Sequence, residues 1–285
     1  MLDQRILILG SAGQLGKEFV SACAQKNFEY FAPDESESQI TQYDQIDQIV
    51  HQFKPRTIIN CAAYNDVDQV QENNEIANSV NRDAVGHLAD LSEKGNIFLV
   101  HFSSDYVFDG KSDKFYSEED PANPLSEYGR SKLAGEQLVC KKMEDYLVFR
   151  LSWVIGEGTS NFLYKFSQWV QENNELKISN DEISIPTFTD DIVDMTLLSL
   201  EKELKGLYHL TSSGHTSRFG LAQAYCDLMG LHCTLIPVSK ETFKTKAQRP
   251  TFSCLSNKKL SKELGCKIPS WDDGIKSYVT RLKEK

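Results

Sequence analysis

Several features that would assign this chain to a large class are missing. Its seven cysteines (Cys23, Cys61, Cys140, Cys226, Cys233, Cys254 and Cys266) include no Cys-x-x-Cys pair, and its six histidines show no His-x-x-x-His spacing. That argues against a zinc centre or a disulfide frame and for a reducing compartment; no metal is expected. No apolar run approaches the roughly 18 residues a membrane-spanning helix needs. No basic region followed by an apolar stretch opens the chain, so a cytoplasmic protein with no membrane attachment is expected. A basic surplus is also missing: 31 Lys and Arg face 41 Asp and Glu, a formal charge of −10. Nucleic acid is therefore not expected as a partner, because it requires a basic stripe. A small phosphorylated ligand is not excluded, because backbone amides bind phosphate without net positive charge. Linkers, repeats and low-complexity segments are absent as well.

What is present is a regular strand–helix alternation over the first half of 285 residues, 40% of them hydrophobic. Short apolar runs at 5–9, 28–32, 57–64, 97–102 and 146–151 read as buried strands. Helical spacing falls between them, at 17–25, 43–53, 74–94 and 125–143. Strand followed by helix, repeated, requires a parallel sheet with right-handed crossovers. The expectation is an α/β fold, a Rossmann-type doubly wound parallel sheet over residues 1–151 with return elements near 183–210. Residues 152–285 are expected to form a smaller C-terminal lobe over the sheet's carboxyl edge.

Three stretches carry chemistry. Gly10-Ser11-Ala12-Gly13-Gln14-Leu15-Gly16 joins the first strand to the first helix. Glycines there let the backbone approach a pyrophosphate, and the new helix presents free N–H groups. Asp34 follows the second strand and can accept from ribose hydroxyls. With no Arg between Phe28 and Lys54, NADH is expected to serve at least as well as NADPH. As a plain turn acid, Asp34 would simply be solvated beside Glu35 and Glu37. Ala62 and Ala63 end the third strand with small side chains, leaving room for a flat ligand. Cys61 beside them is either a reactive thiol or a small buried hydrophobe. The third stretch is Ser103-Ser104-Asp105-Tyr106-Val107-Phe108-Asp109-Gly110, followed by Tyr128-Gly129-Arg130-Ser131-Lys132. A hydroxyl pair at a strand end and a Tyr/Lys pair on one helix face are parts for moving a proton at an oxygen.

These stretches, with Arg150-Leu151-Ser152-Trp153-Val154, Ile185-Pro186-Thr187 and Arg249-Pro250, resemble the extended short-chain dehydrogenase/reductase group over the full length. Within it they are most similar to the dTDP-4-dehydrorhamnose reductase branch. The resemblance implies an oxidoreductase that uses NADH or NADPH to reduce the C4 ketone of a nucleotide-linked 4-keto-6-deoxy sugar. The implied catalytic residues are Ser104, Tyr128 and Lys132, with Lys132 favouring the Tyr128 phenolate. The implied cofactor residues are Gly10, Gly13, Gln14, Leu15, Asp34, Gln39, Ile40, Ala62, Ala63, Tyr64, Ser103, Tyr128 and Lys132. Substrate would meet Ser104, Asp105, Tyr106, Tyr128, Trp153 and Arg249, with Arg249 at the diphosphate. The partner is a nucleotide-sugar substrate, and a homodimer is left open. The sequence departs from the branch at Gln39-Ile40, at Ser104 and across residues 181–187. Two other readings remain: a non-catalytic relative of the methionine adenosyltransferase β subunit, and a reductase or epimerase of another nucleotide sugar.

Overall fold

The computed structural model describes residues 5–284 apart from Glu35 and Glu37; the two acids expected beside Asp34 lie outside the described residues. The chain begins β1 (Arg5–Leu9), α1 (Gln14–Gln25), β2 (Glu29–Phe31), α2 (Tyr43–Phe53) and β3 (Thr57–Asn60). It continues α3 (Val67–Glu72), α4 (Asn74–Asn78), a π-helical turn Ser79–Asp83, α5 (Ala84–Gly95) and β4 (Phe98–Ser104). A 3-10 turn, Asp105–Val107, leads by a long loop to α6 (Glu127–Lys142) and β5 (Tyr146–Leu151). Then come β6 (Val154–Ile155), α7 (Phe162–Glu172), β7 (Glu175–Ser179), β8 (Ile183–Ser184), β9 (Thr187–Phe188), α8 (Thr189–Glu201) and β10 (Gly206–His209). The chain closes with β11 (Thr216–Ser217), α9 (Arg218–Met229), β12 (Thr234–Val238), α10 (Lys258–Leu264) and α11 (Trp271–Lys283).

Six strands form one sheet in the order β10-β5-β4-β3-β1-β2. Every pairing in it is parallel. Alternate residues of each strand feed opposite faces, as the period of two requires. Ile6, Ile8, Ile59, Val100, Phe102 and Phe149 meet α1, α8 and α10 through Phe19, Cys23, Ile192, Leu260 and Leu264. Leu7, Leu9, Ile58, Leu99 and Val148 meet α2, α5 and α6 through Ile46, Val50, Leu88 and Val139. A separate core of Ile155, Leu163, Phe166, Phe188, Leu221, Tyr225, Ile275 and Tyr278 joins α7, α9 and α11. The chain beyond Leu151 thus returns to the sheet through α8, β10 and α10, as well as building its own core.

Local physics corrects the expected boundaries. The helix expected at 125–143 starts at Glu127, because Ser126 caps it by accepting from the Gly129 amide at 3.2 Å. The single helix expected at 74–94 is broken by the π-helical turn around Asn81. In a sheet of this kind ligands lie outside the carboxyl ends of the strands, where the strand order reverses. Here the reversal falls between β1 and β3, so the Gly10 turn and the Cys61–Ala63 exit lie side by side.

Candidate active site

Three glycines shape the turn after β1, each for a different reason. Gly10 has φ +74°, and a Cβ there would lie 2.5 Å from the Ala62 amide nitrogen. A Cβ on Gly16 would come within 2.2 Å of the Gly10 carbonyl oxygen, so α1 can pack on the turn only without one. Gly13 is the N-cap of α1, has no side-chain cap, and lines the cavity described below. A first helical turn without a capping side chain presents unfilled N–H donors, which is what a pyrophosphate needs. The side chains of Gln14 and Leu15 are engaged elsewhere. Gln14 Nε2 donates to the Val154 carbonyl at 3.2 Å, and its Oε1 accepts from Asn161 at 3.3 Å. Leu15 is part of the core. The backbone of these two residues is therefore what remains for a ligand.

A cavity of about 1060 Å3 opens along the carboxyl ends of the strands, between the sheet and the later elements. It is lined by Gly13, Gln14, Leu15, Ala62, Ala63, Ser103, Ser104, Asp105, Tyr106, Tyr128, Lys132, Trp153 and Arg249. Most of the residues expected from sequence therefore converge on one space. Gly10, Asp34, Gln39, Ile40 and Tyr64 lie outside its lining. Ile40 is buried in the core beneath β1, which leaves its side chain no adenine face to offer. Gln39 is exposed. Asp34 closes a local turn: its Oδ1 accepts from the Ser36 amide at 2.8 Å and the Ser36 hydroxyl at 2.6 Å. Tyr64 aims its hydroxyl at Gln69, 3.0 Å away. Its backbone is bracketed by Asn81, whose Oδ1 accepts from the Tyr64 amide and whose Nδ2 donates to the Tyr64 carbonyl. Asn81 Nδ2 also reaches the Ser131 hydroxyl at 3.0 Å. One amide thus ties the β3 exit to the helix that carries Tyr128 and Lys132.

Around the reacting end, β4 delivers Ser103 and Ser104 and α6 delivers Tyr128 and Lys132. The Tyr106 and Tyr128 rings meet edge to face at 5.7 Å. Tyr128 donates to Asn65 Oδ1 at 3.2 Å. Burial pushes its phenol above the ordinary value, while the Ser104 hydroxyl bonded to it pulls the other way. Lys132 is buried, and its ammonium donates to the Phe102 carbonyl at 2.6 Å. Burial lowers it to about 8, opposed by Glu136. The Lys132 ammonium is hydrogen-bonded to backbone, and desolvation is the largest influence on both groups.

Asp105, expected at the substrate, is buried and its carboxylate is occupied within the protein. Ser184 and Ser253 donate to Oδ2 at 3.0 and 2.5 Å, and Ser104 donates to Oδ1 at 3.2 Å. It fastens the end of β4 to β8 and to the segment at Ser253. Burial raises its carboxyl to about 6 against these three hydrogen bonds. Arg249 is likewise paired: its Nη1 and Nη2 reach the two Asp68 oxygens at 3.3 and 2.7 Å. Burial alone would raise the Asp68 carboxyl, but Arg249 and two backbone amides hold it below its ordinary value. Trp153 has φ +36°, a strained backbone for a residue with a Cβ, and lines the cavity while packing against the core of α7, α9 and α11. Cys61 is no activated nucleophile; burial pushes its thiol well up.

The protein's own groups fit a dinucleotide. The α1 N-terminus is uncapped, Ala62 and Ala63 keep the wall low, and the buried Ser103 hydroxyl has no protein partner. Sequence reasoning missed Asn65, the acceptor for Tyr128; Asp68, the partner of Arg249; and Arg218, whose guanidinium lies 3.6 Å over the Trp153 ring. Asn65 follows the Ala62–Tyr64 exit directly, so that exit was its only signal. Asp68 and Arg218 belong to helix starts with no motif of their own. Among the described residues, no group of three or more His, Cys, Asp or Glu could hold a metal, and no helix is long and apolar enough to cross a membrane.

A family model described as "RmlD substrate binding domain" matches residues 4–284. The dTDP-4-dehydrorhamnose reductase of Burkholderia thailandensis is 33% identical over 284 residues, covering 94% of this chain and 95% of that protein. The spore coat polysaccharide biosynthesis protein SpsK of Bacillus subtilis is 30% identical, covering 96% of each. Among solved structures, the dTDP-4-dehydrorhamnose reductase of Bacillus anthracis in complex with NADP superposes with a TM-score of 0.94 at 30% identity, covering 98% of this chain and 99% of that one. The Thermus thermophilus UDP-glucose 4-epimerase complex with NAD, at 16% identity and a TM-score of 0.83, shares the fold.

Proposed function

The chain belongs to the RmlD substrate binding domain family, and from that premise we propose that it is an NAD(P)H-dependent reductase of a nucleotide-linked 4-keto-6-deoxy sugar, with dTDP-4-dehydro-L-rhamnose the substrate and polysaccharide synthesis the setting. The observation that carries this is Tyr128, set edge to face against Tyr106, in one cavity with Ser104 at the carboxyl end of β4 and the uncapped α1 N-terminus. Gly13 and the backbone of Gln14 and Leu15 would bind a pyrophosphate. Ala62, Ala63 and Ser103 would line the way to the nicotinamide, and Lys132 would hold its ribose. Asp34, which follows β2 where this fold places an adenosine ribose, would accept from its hydroxyls.

A reduced nicotinamide held there supplies hydride. The protein's part is at the carbonyl oxygen. The Tyr128 hydroxyl would deliver its proton to that oxygen as a general acid. Ser104 would turn its one proton from Asp105 Oδ1 to the same oxygen and stabilise the charge that grows on it. The Tyr106 backbone amide, which donates to the Ser104 hydroxyl oxygen at 3.2 Å, keeps Ser104 in place, and Ser184 and Ser253 hold the Asp105 carboxylate beside it. Asn65, as the Tyr128 acceptor in this state, is the group the substrate oxygen would displace. Residues 1–151 and the elements that return to the sheet would serve the cofactor, and α7, α9 and α11 the sugar nucleotide.

The test is incubation of the protein with NADH or NADPH and a panel of nucleotide-linked 4-keto sugars, following absorbance at 340 nm, the ordinary reduced-nicotinamide band (about 340 nm). Oxidation with the dTDP-linked 4-keto-6-deoxy sugar is expected. Oxidation with a different sugar alone would move the assignment to another reductase. Dinucleotide binding without oxidation by any sugar would favour the non-catalytic reading.

A further inference from the structure

The basic residue expected at the substrate's diphosphate, Arg249, already has a carboxylate, Asp68. Arg218 does not. Among the described residues its guanidinium makes no hydrogen bond and no ion pair. Its contacts are with ring faces, Trp153 at 3.6 Å and Phe162 at 5.0 Å. The charged and titratable groups facing it are Tyr106, Glu182, Asp105 and Arg249. Of these, Asp105 is bonded to three serines, Tyr106 is held as a neutral phenol by burial, and Glu182 touches Arg218 only by accepting its backbone amide at 3.3 Å.

The placement of Arg218 is not explained by helix stability. It is the first residue of α9, a 12-residue helix with no acid in its first turn. A cation there opposes the helix dipole, which favours anions at that end. Arg218 is half-buried, and partial loss of water with no carboxylate bonded to it is costly; desolvation lowers its guanidinium below the ordinary value. Stacking on Trp153 recovers part of that and fixes the plane of the fork. Arg218 therefore lines the cavity beside the strained Trp153, with no protein carboxylate bonded to its guanidinium among the described residues.

We propose that Arg218, rather than Arg249, is the substrate-binding residue that receives the diphosphate of the sugar nucleotide, with Trp153 acting as the rail that orients it. The planar fork suits a pair of phosphate oxygens. Arg249 is instead a strut that ties the segment at Ala247 to α3 through Asp68. The proposal rests on the nucleotide-sugar reading above and specifies which side chain binds the phosphates.

Calorimetry on protein saturated with NADP+ separates the two claims, using dTDP, thymidine and inorganic pyrophosphate as probes. Arg218→Met, which keeps a chain to lie on Trp153, should weaken dTDP and pyrophosphate at least about tenfold, as loss of a charge-assisted fork does. Arg218→Lys should restore part of it, thymidine binding should be unchanged, and Arg249→Met should lower the melting temperature more than the dTDP affinity. Wild-type affinity for pyrophosphate without affinity for dTDP would retire the dTDP-sugar assignment and keep this one. Unchanged dTDP and pyrophosphate binding in folded Arg218→Met overturns the proposal, and wild-type binding of neither probe overturns both.

Discussion

Lys132 and Tyr128 are four residues apart on α6, yet burial pushes them to opposite ends of their neutral ranges. The lysine is lowered to about 8 and the tyrosine is raised. A Tyr-x-x-x-Lys pattern read from sequence suggests charge acting on phenol. The buried geometry makes desolvation the larger effect at both. This gives a signed pH prediction. The Lys132 ammonium has a folded pKa below its ordinary 10.5, so between about 8 and 10.5 the unfolded chain binds more protons than the folded one. Its contribution to stability is therefore unfavourable below about 8 and is relieved as pH rises through that window. Activity should move the other way. Turnover is expected to hold to about pH 8 and fall above it as Lys132 loses the charge that holds ribose. A pH profile of kcat/KM read beside chemical denaturation at the same pH values checks both signs. A flat activity profile past that point would remove the Lys132 charge from the account.

At the scale of elements, α6 is placed by close approaches that tolerate no side chain. A Cβ on Gly135 would fall 2.0 Å from the Asn81 carbonyl oxygen, and one on Gly129 would fall 2.2 Å from that of Tyr106. The π-helical turn brings Asn81 to that contact, and Asn81 bonds both Tyr64 and Ser131. Gly135→Ala is expected to push α6 off this turn. Melting temperature should fall by several degrees, consistent with a clash of about 1–3 kcal/mol. Turnover should fall more than cofactor affinity, because Tyr128 moves relative to Ser104 while the α1 turn stays. Equal loss of both would show that α6 positions the cofactor as much as the acid. The expected strands lie within two residues of the observed ones except the third, expected at 57–64 and ending at Asn60, because fully buried parallel strands read as short apolar runs. The β3 exit and the strand-end serines were legible for the same reason. Asn65, Asp68 and Arg218 were not, because their roles come from contacts between segments far apart in the chain. The Arg249–Asp68 pair, for example, spans 181 residues. Ile40 was expected at the cofactor only through the family resemblance, and its side chain fills the core.

Across the whole molecule, the chain beyond Leu151 is interleaved with the sheet instead of following it. Asp105 is bonded to Ser184 and Ser253, Gln14 to Val154 and Asn161, and Arg150 to Glu136 on α6 and His209 on β10. His209 sits neutral in that cluster, lowered to about 3 by burial and by the Arg150 charge. Its Nε2 accepts from Arg150, which leaves Nδ1 to donate to the Tyr116 carbonyl at 3.1 Å. These ties set one wall of the cavity against the other, so the acid end of the site and the proposed phosphate end keep a fixed separation. In the proposed reaction this frame holds Tyr128 as the general acid. The most direct measurement is single-turnover reduction of the dTDP-linked 4-keto-6-deoxy sugar by Tyr128→Phe beside the unaltered protein, with NADPH affinity measured on both. Turnover should fall at least about a hundredfold while NADPH affinity stays within about twofold, as loss of a proton donor requires. Near-normal turnover by Tyr128→Phe would contradict the account.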